Sequence, residues 1–142
     1  MIITKTPLRI SFTGGGTDLP AYYEQGYGAV VSAAINKYVY ITMNKRFDDT
    51  IRISYSKTEI VDSLKEIQHD IAKACMQMAG VNKGVEITSI SDIPSGTGLG
   101  SSSSFTVGLL NALYSYCGER LSAHELAEKA CQIEIDILGH PI

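Results

Sequence analysis

Eleven residues, Pro94-Ser95-Gly96-Thr97-Gly98-Leu99-Gly100-Ser101-Ser102-Ser103-Ser104, constrain this chain more than any others. Three are glycine and five are serine, and they run directly into Phe105–Cys117, a stretch without a charged side chain. A strand-like stretch, Gly84 to Ile90, precedes them. The expected unit is strand, Gly/Ser loop, then buried helix. Such a unit leaves backbone N–H groups free at a helix start, where the macrodipole adds roughly half a positive charge. Glycine lets that backbone approach an anion closely. The phosphates of a nucleotide fit this description. Two plainer readings stand beside it, a flexible linker and a tight turn without a ligand. No Gly-Lys-Ser/Thr follows the loop, so it is not a Walker loop, and it lacks the G-x-G-x-x-G of dinucleotide folds. An anion held here is held by amides and hydroxyls, with no lysine inside the loop.

The 142 residues suit one domain, 1–142, with a real core. A net charge of -3 and a pI near 5.5 argue against a basic stripe for nucleic acid or anionic membrane. No apolar run approaches the roughly 18 residues that cross a bilayer, and the N-terminus lacks the apolar core of a signal peptide. The expectation is a cytoplasmic protein with no nucleic-acid or membrane partner. Cys75, Cys117 and Cys131 are odd in number and widely spaced, as for free buried thiols in a reducing compartment. His69, His124 and His140 fall in no nucleophile or metal pattern and read as surface or packing residues.

Ile2–Thr6 and Leu8–Thr13 read as two strands around Pro7. In the second, Leu8, Ile10 and Phe12 alternate with Arg9, Ser11 and Thr13, placing Arg9 on the opposite face. Ala29–Ile35, Tyr38–Lys45 and Ile51–Tyr55 are further strands, the last two joined in hairpin fashion across Asp48-Asp49-Thr50. Ile71, Ala74, Cys75, Met78 and Ala79 mark one face of a helix over 69–79 that could begin near Val61, with Gly80 as C-cap. Ser122-Ala123-His124-Glu125 is a capping box opening a last helix. Strands come first, then helices on both sides of one more strand, which predicts an α+β fold.

In that last helix, at about 100° per residue, Leu126, Ala127, Ala130, Ile133, Ile137 and Leu138 form an apolar stripe. Glu134 lies inside it. A carboxylate is seldom buried without a cation or a donor network. Glu134 therefore either snorkels or pairs with Arg9 or a lysine, or it faces the hydroxyl-rich loop and helps hold Mg²⁺, which takes oxygen ligands. Gly108, inside an apolar helix, points to a close contact there.

Gly14-Gly15-Gly16-Thr17-Asp18 ends the first strand pair. It reads either as a plain turn with Thr-Asp capping a helix at 19–24, or as a ligand loop with Asp18 accepting from a sugar hydroxyl. Arg9 is a candidate for stabilising an anion or a reacting hydroxyl.

Together these residues resemble the GHMP kinase superfamily. Pro94 through Ser104 resembles its central Pro…Gly-Leu-Gly-Ser-Ser motif, and Thr6-Pro7-Leu8-Arg9-Ile10-Ser11-Phe12-Thr13-Gly14-Gly15-Gly16-Thr17-Asp18 resembles its first. The Gly-Gly-Gly-Thr-Asp form looks most like the D-glycero-D-manno-heptose phosphate kinases, and the Glu-His of galactokinases is missing at Gly15-Gly16. The resemblance implies a ribosomal-S5-domain-2-like N-terminal domain with a left-handed β-α-β crossover. It implies ATP and Mg²⁺, with Pro94, Gly96, Gly98, Leu99, Gly100, Ser101, Ser102, Ser103 and Ser104 around the nucleotide. Ser102 and Glu134 match the metal ligands. Gly15, Gly16, Thr17 and Asp18 match the substrate loop, and Arg9 the catalytic cation near the accepting oxygen. The implied reaction is transfer of the ATP γ-phosphate to a sugar hydroxyl, the anomeric one of a heptose phosphate. Other members of the superfamily, such as a fucose-type kinase or a mevalonate-pathway enzyme, share the loops, and a non-catalytic nucleotide- or partner-binding module is a further alternative. The family's catalytic aspartate follows the Gly139-His140-Pro141 turn, beyond Ile142. The expectation is therefore an inactive N-terminal part without the C-terminal domain. An exposed apolar face would then favour self-association or a homo-oligomer.

Overall fold

Alternating apolar residues build one five-stranded mixed sheet, described with the rest of the chain by a computed structural model covering residues 1–140. The strands are β1 (Ile2–Thr13), β2 (Val31–Lys45), β3 (Ile51–Ser54), β4 (Thr58–Val61) and β5 (Val85–Ser91), in the order β1-β2-β5-β3-β4. A four-residue helix, α1 (Pro20–Tyr23), sits between β1 and β2, and α2 (Asp70–Ala79) between β4 and β5. After β5 come α3 (Ser101–Tyr116), α4 (Ala123–Cys131) and a π-helical segment, Gln132–Ile137. The order is α+β as expected, and the exposed Ser122 and Glu125 side chains close the capping box at α4.

Each strand turns one row of side chains inward. Met43, Ile87 and Ile53 stand in register across three strands, and all are buried. Leu8, Val39, Ile41, Ile51 and Val85 complete the inner face. Leu109, Leu110 and Leu113 of α3 cover it, and Ile71, Ala72, Cys75 and Met76 of α2 pack beside them. The opposite sheet face carries Ile3, Ile60 and Ile90 into solvent. There Lys5 Nζ lies 3.9 Å from the centre of the Tyr38 ring, a cation–π contact.

Several expectations change. Pro7 does not split the first strand, because its missing N–H falls where the β1–β2 register shifts, between Pro7 and Arg9. The same shift merges the two expected strands of β2. Beyond it Ile10 and Phe12 leave the core, Phe12 being 70% exposed. No hairpin joins β2 to β3. The turn forms, with the Asp48 carboxylate accepting from the Arg46 guanidinium and the Thr50 amide, but β5 enters between the two strands. It pairs antiparallel to β2 and parallel to β3. A strand apolar at Val85 and Ile87 gains more by pairing on both sides than an edge position offers. The hairpin that does form is β3–β4, so the helix begins at Asp70 and not near Val61, with His69 as its N-cap and Gly80 in the left-handed region after it. Only Cys75 is buried. Cys117 and Cys131 are exposed, and all three are free. No helix among the described residues is long and apolar enough to cross a membrane.

Gly108 is where α3 touches the sheet. A Cβ built there would stand 2.7 Å from Thr6 Oγ1 and 3.4 Å from Ile41 Cγ1, and Thr4 Oγ1 donates to the Gly108 carbonyl at 2.8 Å. The close contact expected of Gly108 is thus helix on strand. Gly108→Val is expected to cost about 1–3 kcal/mol through overpacking. Chemical denaturation measures it, and an unchanged midpoint would refute the contact's importance.

Candidate active site

The ladder between β2 and β5 continues one step into the loop. Asp92 N–H donates to the Tyr38 carbonyl at 3.0 Å, and Asp92 Oδ2 accepts from Tyr38 N–H at 2.9 Å. From there Gly96, Gly98 and Gly100 take φ values of 81°, 73° and 76°, which only glycine adopts cheaply. Arg9 holds the loop from β1. Its N–H donates to the Leu99 carbonyl at 3.0 Å, and its Nη1 to the Gly98 carbonyl at 2.8 Å. A Cβ on Gly100 would press on Arg9 Cγ at 3.3 Å. With those carbonyls turned onto Arg9, the loop's amides are left to the other side.

The helix starts earlier than the apolar run indicated, at Ser101, so four serines form its first turn. Serine at a helix start leaves orphan N–H donors, and Gly100 supplies no side-chain cap. The amides of Ser101, Ser102 and Ser103 have no partner among the described residues, whereas Ser104 N–H donates to the Gly100 carbonyl at 2.9 Å. Ser104 is buried, and its hydroxyl donates to the Pro7 carbonyl at 2.9 Å. Ser104 thus ties helix to strand, and Leu99 packs on the core. Neither is among the residues that line the cavity. Pro94, Gly96, Gly98, Gly100, Ser101, Ser102 and Ser103 do line it.

That cavity holds about 860 Å³. Glu134 forms part of its wall although only 2% exposed. Its Oε2 accepts from Ser102 Oγ at 3.1 Å and from Ser103 Oγ at 3.4 Å, and Oε1 accepts from Thr106 Oγ1 at 2.7 Å. No Lys, Arg or His pairs with it among the described residues. The snorkelling and ion-pair alternatives therefore fall away, since Arg9 is occupied with the loop. The π segment accounts for the placement. Leu138 N–H reaches the Ile133 carbonyl five residues back, at 3.0 Å, which widens the turn. Ile133 and Glu134 stay inward while Ile137, expected in the stripe, is 54% exposed.

A buried carboxylate with three hydroxyl donors and no counter-charge has unspent affinity for a cation. Ser101 Oγ, in the same cavity wall, is also buried and has no hydrogen-bond partner among the described residues. No group of three or more His, Cys, Asp or Glu gathers among the described residues. The donor set is oxygen only, one carboxylate plus serine hydroxyl, which suits Mg²⁺ carried in with phosphate oxygens and water. Thr106 escaped the sequence reading. Its signal was its place one turn after Ser102 on the same helical face.

A second cavity of about 560 Å³ is lined by Thr17, Asp18, Tyr23, Ala29, Ile135 and His140, among others. Thr17 belongs to its frame, because its hydroxyl donates to the Gly14 carbonyl and accepts from Ala29 N–H. No side chain caps the short helix at Pro20, so the capping alternative for Thr17 and Asp18 is not realised. Gly15 and Gly16 face open space in a short 3₁₀ turn and do not line the cavity. Arg9 lies in the first cavity and Asp18 in the second. Consecutive residues of the π segment, Glu134 and Ile135, face one cavity each. Pro141 of the Gly139-His140-Pro141 turn lies outside the described residues.

A further carboxylate, Glu59, holds two residues of the first cavity's wall, Tyr55 and His69. Burial alone would raise the Glu59 carboxyl, but the amides of Gln68 and His69 and the Tyr55 hydroxyl together hold it below its ordinary value.

Residues 64–142 match the family described as GHMP kinases N terminal domain. A D-glycero-alpha-D-manno-heptose 7-phosphate kinase of Campylobacter jejuni is 33% identical over 97% of this chain and 44% of its own length. An L-fucokinase/L-fucose-1-P guanylyltransferase of Bacteroides fragilis is 29% identical over 92% of this chain and 17% of its own length. The solved structure of a D-glycero-D-manno-heptose 1-phosphate kinase from Bacteroides thetaiotaomicron superposes with a TM-score of 0.86 at 28% identity, covering 99% of this chain and 50% of that one. The chain thus spans half or less of the length of these relatives.

The Glu59 geometry carries a pH dependence. A carboxyl held low in the folded state stabilises the fold above its unfolded value and loses that contribution as the pH falls. Between about pH 5 and 3, thermal stability is expected to fall more steeply for the wild-type chain than for Glu59→Gln. Parallel melting curves would remove the assignment.

Proposed function

This chain belongs to the GHMP kinase N-terminal domain family, and from that premise we propose that its first cavity binds Mg²⁺·ATP and its second a sugar phosphate. The observation that carries the reading is the Glu134 carboxylate, buried without a counter-charge and held by hydroxyls at the start of α3. The free amides of Ser101, Ser102 and Ser103 meet phosphate oxygens at the positive end of α3. Ser102 and Glu134 would hold Mg²⁺, which neutralises charge on the transferred phosphoryl group. Thr106 keeps the carboxylate aimed. Arg9 acts chiefly by holding the loop carbonyls away from the phosphates.

In the second cavity Asp18 accepts from a hydroxyl of the acceptor sugar. The π segment contributes to both cavity walls, Glu134 to the first and Ile135 to the second, and in this reading donor and acceptor meet along it. Bringing two substrates into such proximity is the larger part of phosphoryl-transfer catalysis. The acceptor we favour is the anomeric hydroxyl of a heptose phosphate, in line with the two heptose phosphate kinases that resemble the chain over nearly its whole length. A fucose-type acceptor is the second reading, supported by the fucokinase relative.

Calorimetry tests this reading, and sedimentation tests a separate expectation about assembly. By calorimetry the chain is expected to bind ATP more tightly with Mg²⁺ than without it. Ser102→Ala and Glu134→Gln should each reduce the Mg²⁺-dependent gain by on the order of tenfold. Identical gains in all three proteins would dismiss the metal site. The apolar residues Phe12, Leu19, Tyr27, Val31 and Ile137 are exposed, and we expect residues 1–142 to self-associate through them. Sedimentation showing a monomer at all concentrations would contradict that.

A further inference from the structure

Three rings, Tyr55, His69 and Phe105, stand in the wall of the first cavity. The His69 ring meets Tyr55 edge to face at 4.6 Å and stacks on Phe105 at 4.9 Å, with 23° between planes. These contacts fix its plane. Its rotation is fixed by Ala72 N–H, which donates to His69 Nδ1 at 3.3 Å. An amide only donates, so Nδ1 carries no proton and the neutral ring bears its hydrogen on Nε2. Burial lowers the His69 pKa, against the opposing Asp70 and Glu59 carboxylates, and this favours the neutral ring. The backbone is held as well. Glu59 accepts from Gln68 N–H at 2.7 Å, from His69 N–H at 3.1 Å and from Tyr55 OH at 2.8 Å. Nε2–H has no acceptor among the described residues. The result is an oriented, neutral, unpaired donor on a cavity wall.

We propose that His69 is a specificity-determining residue, its Nε2–H donating to an acceptor atom in the nucleoside part of the bound nucleotide. Glu59 and Tyr55 are positioning residues that hold its ring. The assignment rests on the first cavity being a nucleotide site. The phosphates already have the helix-start amides and the metal. A neutral donor flanked by aromatic rings complements an uncharged acceptor on a flat base or its ribose, where a phosphate would call for a cationic one.

The test measures equilibrium binding of ATP and of inorganic tripolyphosphate, both with Mg²⁺, to the wild-type chain, His69→Ser and His69→Phe. Serine keeps an acceptor at the helix N-cap, and phenylalanine keeps the stacked ring. Both variants are expected to bind ATP about three- to tenfold more weakly, the value of one neutral hydrogen bond, with tripolyphosphate affinity unchanged. In the wild-type chain, ATP should shift the His69 Nε2 NMR resonance and tripolyphosphate should not. Wild-type ATP affinity in a folded variant, or equal losses for both ligands, overturns the proposal, the second result marking a purely structural role. If neither variant folds, the resonance decides, and an Nε2 signal unmoved by saturating ATP rejects the assignment. A wild-type chain that binds tripolyphosphate and ATP equally well rejects the His69 role alone. One that binds neither rejects the nucleotide site with it.

Discussion

A carboxyl group kept out of water without a basic partner among the described residues is the tension around which this structure is arranged. The Glu134 carboxylate is satisfied by Ser102, Ser103 and Thr106, all from the first two turns of α3. Hydroxyl donors lessen the cost of desolvation without cancelling the charge. That arrangement needs α3 to approach the π segment closely and α3 to begin at Ser101. It also needs Gly108, about two turns on from Ser101, to let the same helix settle onto β1 and β2. The core is therefore laid out so that one helix serves both the sheet and the charge.

Much of this was readable in the residues. The Gly/Ser loop, the strand before it, the capping box and the inward Glu134 follow from local patterns that obey one period each. What escaped depended on partners distant in the chain. Nothing local to Val85–Ser91 says that it will enter between β2 and β3, and two strands flanking a turn normally pair. The register shift after Pro7 sends Ile10 and Phe12 outward although they alternate like core residues.

The site shows the same division. A 3.6-residue period points Glu134 and Ile137 to the same face, but the π segment does not keep that period, so the carboxylate lies inward and Ile137 does not. Thr106 belongs to no sequence motif, and His69 reads as a surface or packing residue. Their importance lies in hydrogen bonds that only the folded chain makes, Thr106 to a carboxylate 28 residues away and His69 to a helix start whose boundary was uncertain.

The Arg9 contacts with the Gly98 and Leu99 carbonyls join parts of the chain some 89 residues apart. Long closures of this kind form slowly, after local helices and hairpins. The Gly/Ser loop therefore depends for its shape on β1 being docked. A chain in which β1 had not docked would own every residue of the loop without its shape, so the loop's conformation is a property of the tertiary fold and not of the local sequence.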